Sequence, residues 1–234
     1  MLELNKIYNM DCLEGMKLIP DKSIDMILCD LPYGTTACKW DTIIPFEPLW
    51  GQYNRIVKDN GAIILFGSQP FSSMLVVSNL KHFKYEWIVE KSKPTGHLNA
   101  KIKPMLKHDN VLVFCNGKIK YNPQGLSDCN KMVKRTNNGC YGACSKETAM
   151  KQTGYPNTIL KFAYDARPLH PTQKPVPLFE YLIRTYTNEG ETVLDNCIGS
   201  GTTAIACINT NRNYIGFELS EEYCKIAEER IRKI

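Results

Sequence analysis

The feature that most constrains the fold is a nearly continuous apolar run that ends in a short polar turn. Residues 24–29 read Ile-Asp-Met-Ile-Leu-Cys, and Asp30-Leu31-Pro32-Tyr33 follow directly. An apolar run of this length, bounded by a turn signal, predicts a buried strand of a parallel sheet. Because ligands in open α/β sheets bind just beyond the carboxyl ends of the strands, the tetrapeptide lies where chemistry is expected.

Strands and helices alternate along most of the chain. This order predicts a doubly wound, mostly parallel, Rossmann-like α/β sheet with helices on both faces. Asp11 and Ser220 are expected to cap the first and last helices, and Asn60-Gly61 to end the second. The predicted strands are 6–10, 24–29, 62–66, 85–90, 111–114, 192–195 and 214–218, and the predicted helices are 12–18, 47–58, 70–80, 175–186, 204–208 and one after Ser220.

Basic residues are concentrated in the middle of the chain. Residues 91–161 hold 13 Lys and Arg against 3 Asp and Glu, whereas the remainder holds 16 basic and 21 acidic residues. Such asymmetry favours a polyanionic partner, above all nucleic acid, although a solvated lysine-rich surface would have the same composition. Residues 116–165 also lack periodicity, so we predict an insertion there, between the two halves of one domain at 1–115 and 166–234.

Composition restricts the cellular setting. The chain has neither an apolar run long enough to span a membrane nor the features of a secretory signal at its start, and its ten cysteines are scattered. We therefore expect reduced thiols and a cytoplasmic location. Cys129, Cys140 and Cys144 lack a C-x2-C pair, and His97, His108 and His170 are expected to pack or hydrogen-bond, so we predict no metal site.

A second candidate site lies near the end of the chain. Gly199-Ser200-Gly201-Thr202-Thr203 follows the strand 192–195 and opens a helix, and Glu218 ends the next strand. Glycines there allow close approach to a ligand, and a carboxylate in the place of Glu218 commonly binds ribose hydroxyls. The pattern predicts an adenosine-type cofactor, either NAD or S-adenosylmethionine. Asp195 favours the latter, because its carboxylate would repel a pyrophosphate but could bind an amine.

The tetrapeptide has the groups needed to bind a planar amino group. The Asp30 carboxylate and a nearby backbone carbonyl could accept both of its hydrogens, Pro32 would stiffen the turn, and Tyr33 offers a flat face for a base. An ordinary strand followed by a proline turn would have the same sequence. The other motifs favour the functional interpretation.

Taken together, these motifs resemble those of the β-class amino-methylating DNA methyltransferases, which place a catalytic Asp-Pro-Pro-Tyr motif before the cofactor glycines with target recognition between them. Leu31 replaces the first proline of that motif, and Asn196-Cys197 replaces the usual Pro-Phe. The resemblance covers about two-thirds of the chain. The matching segments are Asp30-Leu31-Pro32-Tyr33, residues 170–175 (His-Pro-Thr-Gln-Lys-Pro), residues 195–203 and residues 218–223.

The resemblance implies methyl transfer from S-adenosylmethionine to the N6 amino group of a flipped adenine in double-stranded DNA. It assigns catalysis to Asp30, Leu31, Pro32 and Tyr33, and it implies that Asp11 approaches the adenine of the cofactor. We expect Lys131, Lys134 and Arg135 of the insertion to contact DNA. A homodimer and a cognate restriction nuclease are further partners that such an enzyme can have. The residues expected to bind or frame the cofactor are Asp11, Asp30, Lys174, Asp195, Gly199, Gly201, Thr202, Thr203 and Glu218.

Three other functions fit parts of the sequence. The same fold could methylate the N4 amino group of cytosine, although the leading Asp30 is commoner in adenine enzymes of the resembled family. An NAD-dependent oxidoreductase would need space for a pyrophosphate near Asp195 and would leave the basic insertion unexplained. A non-catalytic DNA-binding protein would have little use for Asp30, Tyr33 and Glu218.

These motifs predict selective stabilisation by one class of cofactor. S-adenosylmethionine, or its demethylated product, at about 100 times its dissociation constant should add about 2.7 kcal/mol to the free energy of unfolding. NAD at the same concentration should add nothing, because Asp195 disfavours its pyrophosphate. Thermal unfolding with each ligand measures this difference, and an unchanged melting temperature with the demethylated product would contradict the prediction.

Overall fold

A computed structural model of the chain describes residues 2–35, 41–134, 147–163 and 173–234. Strands and helices alternate in it much as the sequence predicts. The strands are β1 (Lys6–Asn9), β2 (Ile24–Cys29), β3 (Val57–Gly67), β4 (Phe83–Thr95), β5 (Leu106–Phe114), β6 (Ser127–Lys134), β7 (Glu147–Thr153), β8 (Ile159–Phe162), β9 (Thr192–Asp195) and β10 (Asn213–Glu218). The helices are α1 (Cys12–Lys17), α2 (Phe46–Ile56), α3 (Phe71–Ser78), α4 (Val176–Tyr186), α5 (Thr202–Asn209) and α6 (Glu221–Ile231).

The main sheet is mixed but mostly parallel. Of the strands described, eight form it in the order β1-β10-β9-β2-β3-β5-β4-β8. Within this sheet β5 runs antiparallel to its neighbours β3 and β4, and the other neighbouring strands are parallel. The carboxyl ends of β1, β2, β3, β4, β9 and β10 therefore lie at one edge. The predicted fold class is confirmed.

Residues of β2 alternate between two hydrophobic cores on opposite faces of the sheet. Ile27 and Cys29 belong to a core that α1, α2 and α3 cover, whereas Met26 and Leu28 belong to a core that α4 and α5 cover. Each of these four side chains is fully buried. Burial on both faces explains why this strand reads as a continuous apolar run rather than as an alternating pattern.

The predicted end of the second helix is wrong. The helix α2 ends at Ile56, and Asn60-Gly61 lies inside β3. Val57 is buried and pairs with Ile24 of β2. The residues after Ile56, which the helical spacing assigned to the helix, therefore belong to the sheet. Gly61 allows a close strand approach, because a Cβ there would lie 2.8 Å from the carbonyl oxygen of Asp25.

A smaller compact unit, Pro123–Asn157, contains the antiparallel pair β6–β7. The predicted insertion, residues 116–165, is wider than this unit, because residues 159–162 form β8 of the main sheet. Residues 135–146 and 164–172 lie outside the described part of the chain, and they include Arg135, Cys140, Cys144 and His170.

Two further observations concern membrane spans and cysteines. In the described ranges no helix is long and apolar enough to cross a membrane. Each cysteine that the structure describes is a free thiol, including Cys129 of the smaller unit, whose sulfur donates to the Met150 carbonyl at 3.2 Å.

Candidate active site

The predicted site residues meet at the edge where the parallel strands end. A cavity of about 400 Å³ lies there, and Gln173 and Lys174, just before α4, contribute to its wall. Gly201 is the one predicted residue of the main unit that does not line it. The predicted residues that line it are Asp11, Asp30, Leu31, Pro32, Tyr33, Lys174, Asp195, Gly199, Thr202, Thr203 and Glu218.

Two side chains orient the carboxylate of Asp30, which follows β2. Lys174 Nζ lies 2.5 Å from Asp30 Oδ2, and the Tyr33 hydroxyl donates to Asp30 Oδ1. Lys174 is buried, and its ammonium group lies 5.2 Å from the centroid of the Phe66 ring. Asp30 keeps about 20% of its side-chain exposure, so the pair is partly shielded from water, which strengthens the attraction between its partners. Its geometry fixes the direction in which Asp30 can accept further hydrogen bonds.

Tyr33 is held by packing as well as by this hydrogen bond. Its ring lies 5.0 Å from the Phe71 ring, centroid to centroid, with 30° between the planes. Burial, together with the negative charge of Asp30, raises the pKa of Tyr33 well above its ordinary value. The hydroxyl therefore stays protonated and remains a donor to Asp30.

Asp41 is a site residue that the sequence analysis missed. Its Oδ1 accepts from the N–H groups of Tyr33 (2.7 Å) and Gly34 (2.9 Å), and its Oδ2 accepts from that of Thr35 (2.9 Å). The carboxylate is buried and lines the cavity. Consecutive N–H groups that converge on one carboxylate fix the loop after the tetrapeptide. The signal available in the sequence was an acidic residue eight positions after Tyr33, in a loop with few other acceptors.

Asp195, at the end of β9, holds the glycine loop. Its Oδ1 accepts from the Cys197 N–H at 3.0 Å, and its Oδ2 accepts from the Thr203 hydroxyl. Burial raises the pKa of Asp195 to about 7, although these hydrogen bonds oppose the shift. The carboxylate thus joins the two ends of the loop. An amine that binds Asp195 must share the carboxylate oxygens with these two hydrogen bonds.

Glu218, at the end of β10, connects two loops. Its Oε2 accepts from the Gly199 N–H at 2.9 Å and its Oε1 from the Ser220 N–H at 2.8 Å. Burial raises its pKa, and the backbone donors partly oppose the shift. Gly199 and Gly201 have φ angles of +53° and +83°, a region that suits glycine. At Gly201 a Cβ would also lie 2.9 Å from the Cβ of Ala227.

The remaining predicted residues belong to the start of α1, the tetrapeptide and the smaller unit. Asp11 caps α1 by accepting from the N–H groups of Leu13 (2.9 Å) and Glu14 (3.2 Å). The side chain of Leu31 is buried in the core, which anchors the turn of the tetrapeptide. Lys131 is exposed on β6 of the smaller unit, and Lys134 ends that strand.

Comparisons with known proteins identify the family. The family model described as DNA methylase, for N6 and N4 methyltransferases, matches residues 24–229. The chain belongs to this family. Type II methyltransferase M.HpaI of Haemophilus parainfluenzae is 27% identical over 240 residues, which cover 94% of this chain and 72% of that protein.

Two solved structures of DNA methyltransferases are similar to this N6/N4 methyltransferase. The M1.HpyAVI–SAM complex has a TM-score of 0.66 at 25% identity, covering 96% of this chain and 98% of that one. The PvuII DNA methyltransferase, described as cytosine-N4-specific, has a TM-score of 0.70 at 15% identity, covering 96% and 85%. The second likeness shows the fold alone, and the first extends over nearly the whole of both chains.

Replacing Asp41 by Ala should release the loop that follows the tetrapeptide, because three N–H groups lose their acceptor. We expect faster amide hydrogen exchange at Tyr33, Gly34 and Thr35 and a lower rate of DNA methylation. Asp41→Asn keeps one acceptor oxygen and should restore part of both properties. Asp59→Ala removes an exposed carboxylate as a control. Unchanged exchange in the Asp41→Ala variant would show that the clamp does not order the loop.

The pKa of Asp195 predicts a pH dependence of stability. The folded protein keeps this proton up to about pH 7, whereas an unfolded Asp releases it near about pH 4. The stability that the protonated group contributes is therefore present below about pH 4 and is lost as the pH rises through about 7. Urea unfolding measures the free energy of unfolding from pH 4 to pH 8. This free energy should fall less over that range in Asp195→Asn than in the unchanged protein. The exposed Asp59→Asn variant should match the unchanged protein, and equal pH slopes in all three would contradict the assignment.

Proposed function

We propose that the protein transfers a methyl group to the N6 amino group of adenine in duplex DNA. The observation that carries the proposal is the position of Asp30, which faces the same cavity as Glu218 and Asp195. In the strand order β10-β9-β2, Glu218 and Asp30 stand two strand spacings apart, or about 10 Å. That span suits a cofactor whose ribose lies at one end and whose reacting methyl lies at the other.

The cofactor is S-adenosylmethionine, and the residues of the cavity fit it. Glu218 can accept hydrogen bonds from ribose hydroxyls, and Gly199 lets the backbone approach the ligand closely. We assign Asp195 to the amine of the amino-acid moiety and Asp11 to the adenine end, while Lys174 frames the pocket beside Asp30. When bound, the cofactor supplies an electrophilic methyl group on a sulfonium.

Asp30 and the backbone carbonyl of Leu31 activate the amino group of the base. The lone pair of that nitrogen is delocalised into the ring, so the free base is a poor nucleophile. Accepting both N–H hydrogens draws the nitrogen towards a tetrahedral shape and directs its lone pair at the methyl group. Each oxygen of a carboxylate has two lone pairs, so Asp30 can accept from the base while it remains bound to Lys174 and Tyr33. Positioning and preorganised acceptors then supply most of the barrier reduction.

The base must leave the duplex before it can reach Asp30, at a cost of roughly a few kcal/mol. Phe71 covers one face of Tyr33, and we assign the other face to stacking with the flipped base. Pro32 and the buried side chain of Leu31 keep the turn in shape while the base enters. The displacement at the methyl group would be direct: a nitrogen–carbon bond would form as the carbon–sulfur bond breaks, with the electron pair left on sulfur. One amino proton would then pass to Asp30 or to water, so no enzyme-bound covalent intermediate is needed.

Adenine is our choice of base, and N4 methylation of cytosine is the second candidate. Asp30 at the start of the tetrapeptide supports adenine, because an Asp at that position is commoner in the adenine enzymes of the family. The fold of the cytosine-N4-specific PvuII enzyme is similar, and both bases present an amino group beside a ring nitrogen.

We also propose that Lys131, Lys134 and Arg135 contact DNA. A homodimer and a cognate restriction nuclease stay predictions of the family resemblance.

Replacing Asp30 by Ala should lower the rate of methyl transfer from labelled S-adenosylmethionine to DNA at least about a hundredfold. DNA binding should change little and cofactor binding much less than turnover, since the interaction with the amino group matters most in the transition state. Asp59→Ala, which removes an exposed carboxylate that does not line the cavity, is the control. Turnover near that of the control would remove Asp30 from the mechanism.

The base itself is identified by digesting the methylated DNA to nucleosides and measuring their masses. N6-methyl-2′-deoxyadenosine as the product supports the proposal, and N4-methyl-2′-deoxycytidine as the sole product would replace it by the second candidate.

A further inference from the structure

The hairpin that joins β4 to β5 lies at the same edge of the sheet as the candidate active site. Both β3 and β4 run antiparallel to β5, so β4 points in the direction of β3 and of β2. The carboxyl end of β4 therefore lies on the side where Asp30 follows β2. The two strands β2 and β4 are three strand spacings apart, or about 14 Å.

This hairpin extends beyond the sheet that supports it. The last pair between β3 and β5 joins Gly67 to Asn110, so residues 106–109 of β5 continue about 13 Å past β3. Every residue from Ser92 to His108 is exposed. At its tip Gly96, with φ of +88°, leads into a single 3-10 turn at residues 97–99. We call residues 92–106 the β4–β5 arm.

The charge on the arm is positive and partly unpaired. Residues 91–108 include five lysines and no Asp or Glu. At the base of the arm Lys91 pairs with Asp109 and Lys107 with Glu90, both at 3.0 Å. By contrast, Lys93, Lys101 and Lys103 have no ion-pair partner among residues 2–35, 41–134, 147–163 and 173–234.

Two large apolar side chains stand beside these lysines. Leu98 is 87% exposed and Ile102 is 81% exposed. Hydrogen bonds from the N–H groups of Ile102 and Lys103 to the Asn99 carbonyl, both 3.0 Å, hold the turn that presents them. Neither side chain contributes to a core of the fold, so folding gives no reason for an apolar residue at either position.

We propose that the β4–β5 arm is a DNA-contacting surface of the enzyme, in addition to the basic residues of the smaller unit. The inference rests on the proposed function, since it takes duplex DNA as the substrate. Lys93, Lys101 and Lys103 bind phosphates of a duplex whose target base enters the cavity at the same edge. Leu98 and Ile102 contact the apolar faces of sugars and bases that extrusion exposes, as apolar side chains do at distorted steps of DNA.

Charge complementarity selects this partner. Duplex DNA carries one negative charge per roughly 1.7 Å of its axis, so any duplex seated over the cavity and extending about 14 Å towards the arm presents several phosphates to it. A protein partner of this surface would need an acidic patch with an apolar centre. The adjacent active site favours DNA, because the substrate must approach this edge in any case.

The arm is tested by replacing Lys93, Lys101 and Lys103 together by Gln in the full chain. Binding to a short mixed-sequence duplex is measured by anisotropy over a range of salt concentrations. The control replaces Lys81, Lys84 and Lys118 by Gln. These three exposed lysines lie at the opposite ends of the same two strands, so the control loses the same charge. Thermal stabilisation by the demethylated cofactor product confirms that each variant is folded.

We expect the arm variant to bind at least about tenfold more weakly at low salt, with a log–log salt slope reduced by about 0.9 for each phosphate that the variant no longer binds. The control should keep the slope of the unchanged protein. Equal slopes in the two variants would overturn the assignment of the arm. Failure of the unchanged protein to bind DNA or to methylate it would instead overturn the proposed function, and the two failures are therefore distinguishable.

A second variant, Leu98→Gln with Ile102→Gln, tests the apolar contact without altering charge. It should lower methyl transfer to duplex DNA more than transfer to single-stranded DNA, in which no base has to leave a stack. A change in sedimentation behaviour with unaltered DNA affinity would show that the arm binds a second copy of the chain, and the DNA assignment would be wrong.

Discussion

Carboxylates that accept backbone N–H groups hold the loops at the active edge of the sheet. Asp41 clamps the loop after the tetrapeptide, Asp195 closes the glycine loop, and Glu218 joins that loop to the start of α6. The loops therefore hold the cavity open in a fixed shape, although loops at the ends of strands are commonly the more mobile parts of a fold.

This arrangement has an energetic cost that a bound cation would offset. Burial raises the pKa of both Asp195 and Glu218, which means that the folded protein disfavours their ionised forms. A positively charged ligand beside them would favour ionisation and lower the two pKa values again. S-adenosylmethionine carries positive charge on its sulfur and on its amine, so the same carboxylates that order the loops in the free protein suit the ligand that the cavity accepts.

The sequence predicted the buried strands because burial on two faces leaves a nearly continuous apolar run, as β2 and the central part of β3 show. It missed β6, β7 and β8, since residues 116–165 lack such a run, and it predicted only the buried parts of β4 and β5, whose far ends are exposed. It was less reliable where tertiary pairing overrides local spacing, as at Asn60-Gly61, which helical periodicity alone could not assign to β3. At the site, a position at or directly after the carboxyl end of a strand was enough to bring Asp30, Asp195 and Glu218 to one cavity, and their roles there stay predictions. Asp41 was missed because its role depends on a loop that brings it back to the N–H groups of residues 33–35. An acidic residue eight positions after Tyr33 does not by itself show that the chain makes this return.

The direction of the strands explains why so many functional features share one edge. Parallel neighbouring strands have their carboxyl ends on the same side of the sheet. The loops after β2, β9 and β10 therefore converge, although β2 is far from the other two strands in the sequence. The pair β4–β5 breaks the parallel order, yet β4 still points the same way, because it is antiparallel to a strand that is itself antiparallel to β3. Two reversals restore the direction, and the turn of this hairpin is therefore carried to the edge where Asp30 lies rather than to the opposite one.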